Sequence, residues 1–273
     1  MKWCFYCLLF FFPYSLLSAQ SVHYPPSAMF TGSGAYSQAF SDAFSFLGNQ
    51  ASLGNISQTV AGIYGERKYM LEELNFTTAA VGIPVTGGGV GLAVKYFGWS
   101  QYNESQIGAA YGKNLGKVSI GVQFNYTMLR IAGYGSDAAF TTEAGTIWQI
   151  SDRVQAGIQV INPVGGKFRN NKEEKIASVY KTAIGWETSS VLYISAEIVK
   201  EENRPANILV NAQYRFADCF FARAGIATAI NAPFLSAGWK WKNLRTDIMG
   251  NYHPRLGITP GLSISFFCKN IKG

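Results

Sequence analysis

The sequence predicts an all-β protein, a single transmembrane antiparallel β-barrel of about 14 strands with an N-terminal plug. Residues 118–128 alternate apolar with small or polar side chains, and a period of two is typical of a β-strand. The stretch is also long enough to cross a bilayer, which takes about 9–11 strand residues. Charged residues make up only 14% of the chain, whereas a soluble domain carries roughly 25%. One face of such a strand suits lipid and the other a polar lumen.

The first 19 residues have the pattern of a secretory signal peptide. Lys2 is followed by an apolar run over residues 3–17, and the small pair Ser18-Ala19 precedes Gln20. We expect cleavage after Ala19 and export to a bacterial outer membrane. The sequence contains no other apolar run of about 18 residues, which excludes a membrane protein built of helices.

Residues 20–58 lack the alternating pattern and are rich in Ser, Gly, Ala and Phe. Residues 39–47 are predicted to form a short helix that ends at Gly48, with this glycine as its C-cap. An apolar segment of this kind would not stay extended in water, so we place it inside the barrel as a plug. The predicted domains are therefore the signal peptide (1–19), the plug segment (20–58) and the outer-membrane barrel (59–273).

The barrel strands follow as alternating segments separated by tight turns rich in Gly, Ser, Asn and Asp. The predicted strands are 59–66, 74–83, 88–98, 103–113, 117–131, 139–149, 153–161, 178–188, 191–200, 206–216, 219–229, 233–241, 244–252 and 260–267. Twelve strands are the alternative if two of the shorter segments do not span. The longest connection, residues 162–175, is charged and glycine-rich, so we place it in water on the extracellular side.

Eight charged residues share a strand face with Ser, Gly, Gln or Asn and are predicted to line the lumen, because a charge facing lipid at midplane costs about 2–4 kcal/mol for Arg or Lys. They are Lys95, Glu143, Glu197, Arg215, Arg223, Lys240, Arg245 and Asp247. One interpretation is a polar pathway or ligand site. The other, which we favour, is a network of salt bridges that fills the barrel and holds the plug.

The remaining residue types give little support for other functions. The only histidines, His23 and His253, lie near the start of the mature chain and in a turn, so we expect no enzyme, no metal site and no cofactor. The net charge of +7 is spread along the chain without a basic block, which argues against nucleic acid as a partner. Cys219 and Cys268 are expected to be small apolar side chains, although a bridge between them is the alternative.

Several short stretches resemble known outer-membrane barrels. Residues 48–53 resemble the Asn-Pro-Ala-Gly-Leu stretch in the plug of barrels related to the long-chain fatty-acid transporter, and the plug motif comprises Gly48, Asn49, Gln50 and Ala51. Gln50 stands where that group has proline. Other stretches are similar to the PorV/PorQ-type barrels of the type IX secretion system of Bacteroidetes, namely residues 64–67, 110–112, 162–163 and 252–257.

The resemblance covers residues 35–267 and implies a fourteen-stranded barrel with an N-terminal plug and no catalytic residues. The chain is shorter than the fatty-acid transporters, chiefly in its loops, where those proteins build their external ligand pocket. Besides outer-membrane lipid, the partners we expect are secretion-system or cell-surface proteins. The alternatives are a passage for hydrophobic small molecules, with such a molecule as ligand, and a purely structural barrel.

Overall fold

The structure is a computed structural model that describes residues 32–169, 176–202, 204–228 and 232–268. Within these ranges, fourteen antiparallel strands close into one barrel, in which each strand pairs with its neighbours in the chain and β1 pairs with β14. The strands are β1 (Thr59–Arg67), β2 (Asn75–Val85), β3 (Gly88–Gly98), β4 (Tyr102–Asn114), β5 (Val118–Ile131), β6 (Gly135–Gln149), β7 (Val154–Ile161), β8 (Val179–Glu187), β9 (Leu192–Glu201), β10 (Asn207–Arg215), β11 (Phe220–Ala227), β12 (Ala232–Trp241), β13 (Leu244–His253) and β14 (Gly257–Cys268). The prediction of fourteen strands is confirmed, and the twelve-strand alternative is wrong. The predicted signal peptide lies outside the described residues.

The two faces of each strand differ as the alternating pattern predicts. In β5, Phe124 is 64% exposed on the outer face, while its neighbour Gln123 is 1% exposed on the inner face. The same contrast recurs around the barrel, where large apolar side chains are exposed outside and small or polar ones are buried inside. An outer surface of this kind is suited to lipid rather than to water.

The two ends of the barrel differ in the length of their connections. One end has the turns 86–87, 115–117, 150–153, 188–191, 216–219 and 242–243, and β1 starts and β14 finishes there. We call it the short-turn end. The opposite, long-loop end has the connections 68–74 and 162–178 among others. Outer-membrane barrels place short turns in the periplasm and longer loops outside the cell, and we orient this barrel in the same way.

The described residues before β1, residues 32–58, lie inside the barrel, and we call them the inner segment. It consists of a 3₁₀ turn (Gly32–Tyr36), a short helix α1 (Ser45–Gly48) and a second 3₁₀ turn (Gln50–Asn55). None of the described helices has the length and apolar character needed to cross a membrane. Most of the segment's side chains are buried, including Phe44 and Phe46, which pack with Tyr64 of β1 in the main apolar cluster.

The helix predicted over residues 39–48 is therefore shorter than expected. The Ser45 hydroxyl accepts a hydrogen bond from the Asp42 backbone N–H at 2.8 Å, and the Asp42 carboxylate accepts one from the Phe44 N–H at 2.9 Å. Such local bonds compete with helical ones and confine the helix to one turn. Its C-cap is Asn49, not Gly48. Gly48 has a different role, because a Cβ there would lie 2.2 Å from the Gly32 carbonyl oxygen.

The connection between β7 and β8 is predicted to lie in water; Val164, Lys167 and Arg169 are exposed, and the charged residues 170–175 lie outside the described residues. Phe168 is only 2% exposed, and the Arg169 N–H donates to the Ala138 carbonyl at 3.0 Å, so this part packs against the end of β6. Asn162 has a φ of 54° and its side chain bonds the Gly166 N–H at 2.7 Å. The asparagine thus reverses the chain at the end of β7, which the abundance of charge and glycine in the sequence does not reveal.

The two cysteines of the predicted mature chain are not joined. Cys219 lies in the turn between β10 and β11, and Cys268 ends β14. Cys219 is partly exposed and Cys268 is exposed, and both lie at the short-turn end. A disulfide therefore plays no part in closing this barrel.

Candidate functional site

A row of glycines on four neighbouring strands makes room for the inner segment. Gly112 of β4 pairs with Gly89 of β3 and with Gly121 of β5, which pairs in turn with Gly145 of β6. A Cβ at position 121 would lie 2.4 Å from the Ala51 backbone nitrogen, closer than any side chain can approach. We call these four residues the glycine row. It allows the backbone of the inner segment to lie directly on the barrel wall.

Gln50 is the centre of a polar cluster above this row. Its side-chain amide donates to a carboxylate oxygen of Glu143 in β6, and its carbonyl oxygen accepts from Gln159 at 3.1 Å. Glu143 also accepts from Gln159 at 3.1 Å and from Asn125 at 2.8 Å. A fourth amide, that of Gln123, lies 3.5 Å from the Glu143 carboxylate. Gln50 is fully buried and Glu143 is 3% exposed, so hydrogen bonds from side-chain amides replace those that the carboxylate would make with water. Proline at position 50, as in the resembling motif, would lack this amide.

Asn49 attaches the inner segment to the backbone of β6 and β7. Its side-chain amide donates to the backbone carbonyls of Thr146 and Ile158, each at 3.2 Å. Its carbonyl oxygen accepts from the Ala51 N–H at 3.0 Å and caps the second 3₁₀ turn. Asn49, Gln50 and Ala51 of the predicted plug motif therefore lie against the wall, whereas Gly48 packs on Gly32 within the inner segment.

A buried ion pair holds the other side of the inner segment. The Arg223 guanidinium of β11 lies 3.2 Å from the Asp42 carboxylate, and both side chains are about 95% buried (4% and 5% exposed). Arg223 also donates to the Gln213 side-chain oxygen at 2.9 Å. This pair joins a residue of the inner segment to one on the wall across the lumen from the glycine row.

Two further ion pairs lie within the wall itself. Arg245 binds Asp247 on the same strand through two nitrogens, with a closest distance of 2.7 Å, and stacks 4.2 Å from the Phe221 ring centroid. Glu197 of β9 lies 4.0 Å from Lys181 of β8. The side chains of both pairs lie on the inner face of the barrel.

The remaining predicted lumen residues are Lys95, Arg215 and Lys240. Lys95 is buried on the inner face of β3. Arg215 and Lys240 are half-buried at the short-turn end, where their cationic groups lie 5.6 and 5.2 Å from the ring centroids of Phe40 and Phe267. They line a cavity of about 460 Å³ below the inner segment. The eight predicted residues therefore share the inner face but divide into separate groups.

The long-loop end is partly covered by a turn over residues 68–70. The Tyr69 N–H donates to the inward-facing Thr259 hydroxyl at 3.0 Å, and its ring meets that of His253 edge-on at 5.8 Å. Burial lowers the pKa of the Lys68 ammonium and raises the pKa of the Tyr69 phenol. Among the described residues, no three His, Cys, Asp or Glu side chains are placed to hold a metal ion.

Several residues that the sequence did not single out belong to this site. Asp42, Lys181 and the three inner-face amides Asn125, Gln159 and Gln213 complete the pairs and clusters above. The strand alternation placed the amides on the inner face, but it did not show which side chain of the inner segment each would meet. Asp42 carried a detectable signal, since it is a charged residue in an otherwise apolar segment.

Replacing Arg223 with alanine is expected to lower the free energy of unfolding by roughly 3–5 kcal/mol, because Asp42 would stay buried without its partner. Urea titration in lipid vesicles measures the change. Arg255→Ala is the matched control, since Arg255 is exposed in a turn, and should change stability by no more than about 0.5 kcal/mol. The double variant Arg223→Gln, Asp42→Asn should recover part of the loss. Equal stability of Arg223→Ala and Arg255→Ala would contradict the role of the pair.

Comparison with known proteins identifies the type of fold. None of the family models and none of the curated protein sequences that we compared matches the chain. The Ralstonia pickettii toluene transporter TbuX matches with a TM-score of 0.59 and 10% identity, over 83% of this chain and 93% of that structure. A Pseudomonas aeruginosa FadL homologue matches with a TM-score of 0.56 and 10% identity, over 89% and 98%. The P. putida toluene transporter TodX matches with a TM-score of 0.52 and 8% identity, over 83% and 94%. The chain therefore shares the fold of these three structures.

Proposed function

We propose that this protein is a closed outer-membrane barrel that acts through protein partners, as an accessory of protein secretion or of attachment to the cell surface. The observation that supports the proposal is the seating of the inner segment. Gln50 and Asn49 bind one side of the lumen, and Asp42 binds Arg223 on the other, so the inner segment is held to the wall from both sides. A barrel filled in this way is suited to presenting a stable surface rather than to conducting.

The similarity of residues 64–67, 110–112, 162–163 and 252–257 to PorV/PorQ-type barrels supports secretion-system or cell-surface proteins as the partners in this proposal. The proposal includes export by the signal peptide of residues 1–19, a plug formed by residues 20–58 and a barrel over 59–273. In this arrangement the loops and turns at the two ends of the barrel are the surfaces offered to proteins, while the outer face contacts lipid.

Single-channel recording in planar bilayers tests whether the barrel is closed. The wild type should show little or no steady conductance, because the inner segment fills the lumen. Deletion of residues 36–57 should open a conducting pore, provided that the variant still migrates as a folded barrel on unheated gels. A wild type that conducts like a porin would overturn the proposal of a closed barrel.

Co-purification of the tagged barrel from its own outer membrane tests the choice of partner. We expect secreted or surface proteins to be retained by the wild type after detergent extraction. A variant with the loop 162–178 shortened, which leaves the inner segment in place, separates binding at the long-loop end from binding at the short-turn end. Recovery of the barrel alone under mild extraction would count against partners at either end.

A second candidate function is a passage for hydrophobic small molecules. Its support is the 460 Å³ cavity, whose lining includes Phe40, Phe46 and Phe221, together with the similarity of the fold to two proteins described as toluene transporters. Saturable binding of a fatty acid or a monoaromatic hydrocarbon would favour it over the partner-binding role. The substitution Phe46→Ala should then weaken binding, and the outward-facing Phe140→Ala serves as its control.

A further inference from the structure

The outer surface of the barrel carries an apolar groove that runs along β6. Its floor is formed by the short side chains of Ala144 and Thr146. Ile120 and Val122 of β5 form one wall, and Ile158 and Val160 of β7 form the other. These residues are direct cross-strand neighbours, since Val122 pairs with Ala144 and Ala144 pairs with Val160. The groove has a volume of about 380 Å³ and faces the region that lipid tails occupy.

Basic residues gather where this groove approaches the short-turn end. Lys113, the penultimate residue of β4, lines the groove and is exposed. Lys117 and Arg153 are exposed in the two adjacent turns, 115–117 and 150–153. The acidic residue in these two turns is Asp152. The described rim beside the groove therefore carries a net positive charge.

Glu187, the acidic residue at the end of the neighbouring strand β8, does not neutralise this rim. Its carboxylate accepts hydrogen bonds from the Ser37 hydroxyl at 2.6 Å and from the Gln38 and Ala39 N–H groups at 2.8 and 3.1 Å. The charge is thereby directed into the lumen, toward the inner segment. The exposed charges beside the groove at the short-turn end are therefore mainly those of Lys113, Lys117 and Arg153.

A second outer groove provides a comparison on the same molecule. It has a similar volume, about 360 Å³, and a similar floor of Ala61 and Ala79 between Ile264 and Leu92. No described residue that lines it is charged. Both grooves are therefore apolar, but among their described lining residues only the β6 groove includes a charged side chain, that of Lys113.

We propose that the β6 groove holds one anionic phospholipid of the periplasmic leaflet. Its acyl chain lies over Ala144 and Thr146, and its phosphate lies at the level of Lys113, with Lys117 and Arg153 beside it. The short-turn end faces the periplasm, so these cations are at the depth of that leaflet's headgroups. Trp148, which is 62% exposed near the end of β6, lies at the interface level typical of aromatic side chains. Neither the closed barrel nor the alternative passage is required for this binding.

Native mass spectrometry of the intact, folded barrel tests the proposal. The detergent-extracted protein is titrated with phosphatidylglycerol, which is anionic, and with phosphatidylethanolamine, which is zwitterionic. We expect one tightly retained phosphatidylglycerol and weaker retention of phosphatidylethanolamine. Lys113→Gln should weaken phosphatidylglycerol binding about fivefold, the change expected from one basic side chain at an anionic lipid surface. The preference should shrink as salt is added.

Filling each groove separates a specific site from general lipid contact. Ala144→Phe should weaken phosphatidylglycerol binding at least as much as Lys113→Gln, whereas Ala79→Phe, the matched change in the second groove, should leave it unchanged. Both variants keep an apolar residue on the lipid face, and unheated gels verify that they fold. Equal retention of the two lipids, or equal effects of Ala144→Phe and Ala79→Phe, would overturn the proposal. A lipid-free dimer that Ala144→Phe dissociates would assign the groove to a second copy of the chain instead.

Discussion

Replacing Gly121 with valine is expected to displace the inner segment and to open the barrel. The Cβ would lie 2.4 Å from the backbone of both Gln50 and Ala51, and a backbone cannot turn aside as a flexible side chain can. Overpacking of this kind costs typically about 1–3 kcal/mol, and here the loss of the bonds made by Asn49 and Gln50 adds to it. The variant should show steady conductance in planar bilayers where the wild type shows none.

Gly250→Val is the matched control for this experiment. Gly250 also lies within a strand, β13, but it faces outward and nothing lies within 4 Å of the position that a Cβ would occupy. Valine is favoured in strands, so both substitutions raise the β-strand propensity at their positions. Only the valine at position 121 would meet the inner segment. Two results would show that the glycine row does not seat the inner segment. One is a Gly121→Val variant that stays closed, and the other is a Gly250→Val variant that conducts as much as Gly121→Val.

Replacing Phe124 with arginine is expected to destabilise the barrel by about 2–4 kcal/mol. Phe124 is in the middle of β5 and is 64% exposed on the outer face, so an arginine there would place its charge near the centre of the bilayer. The cost arises because no water or counter-charge is available at that depth. The free energy of unfolding, measured by urea titration in lipid vesicles, gives the effect directly.

Two substitutions serve as controls for the position of Phe124. Phe124→Leu keeps an apolar side chain toward lipid and should leave stability nearly unchanged. Gln123→Arg places the charge on the inner face, beside the Glu143 carboxylate that Gln123 already approaches at 3.5 Å, and should cost less than Phe124→Arg. If Gln123→Arg proved the more damaging of the two, the assignment of the faces of β5 would be wrong by one residue.

The strands could be predicted well because their signal is local. A side chain on a strand alternates between lipid and lumen, so each strand repeats the same two-residue pattern, and all fourteen predicted segments coincide with strands of the barrel. The inner segment has no such repeat. The side-chain bonds of Asp42 and Ser45 shorten its helix, and such bonds depend on a fold that the pattern of apolar residues does not determine.

The candidate site was predicted only in part, and for a similar reason. Alternation placed Arg223, Glu143 and Gln123 on the inner face, but ion pairs form between residues that lie far apart in the chain, such as Arg223 and Asp42. The glycine row was not recognised, because glycines near positions 89 and 112 also fit the turns next to them. What identifies the row is the register of four strands side by side, which a single sequence does not display.

The glycine row also bears on the order in which the barrel is assembled. The inner segment comes first in the chain, but the surface that receives it is made by β3 to β6, which follow it. The last pairing needed to close the barrel joins residues at opposite ends of the chain, from Thr59 with Cys268 to Glu66 with Gly261. Contacts between such distant residues form late, because a long loop must be closed to make them. We therefore expect the inner segment to settle on an open, curved sheet before the pairing of β1 with β14 encloses it.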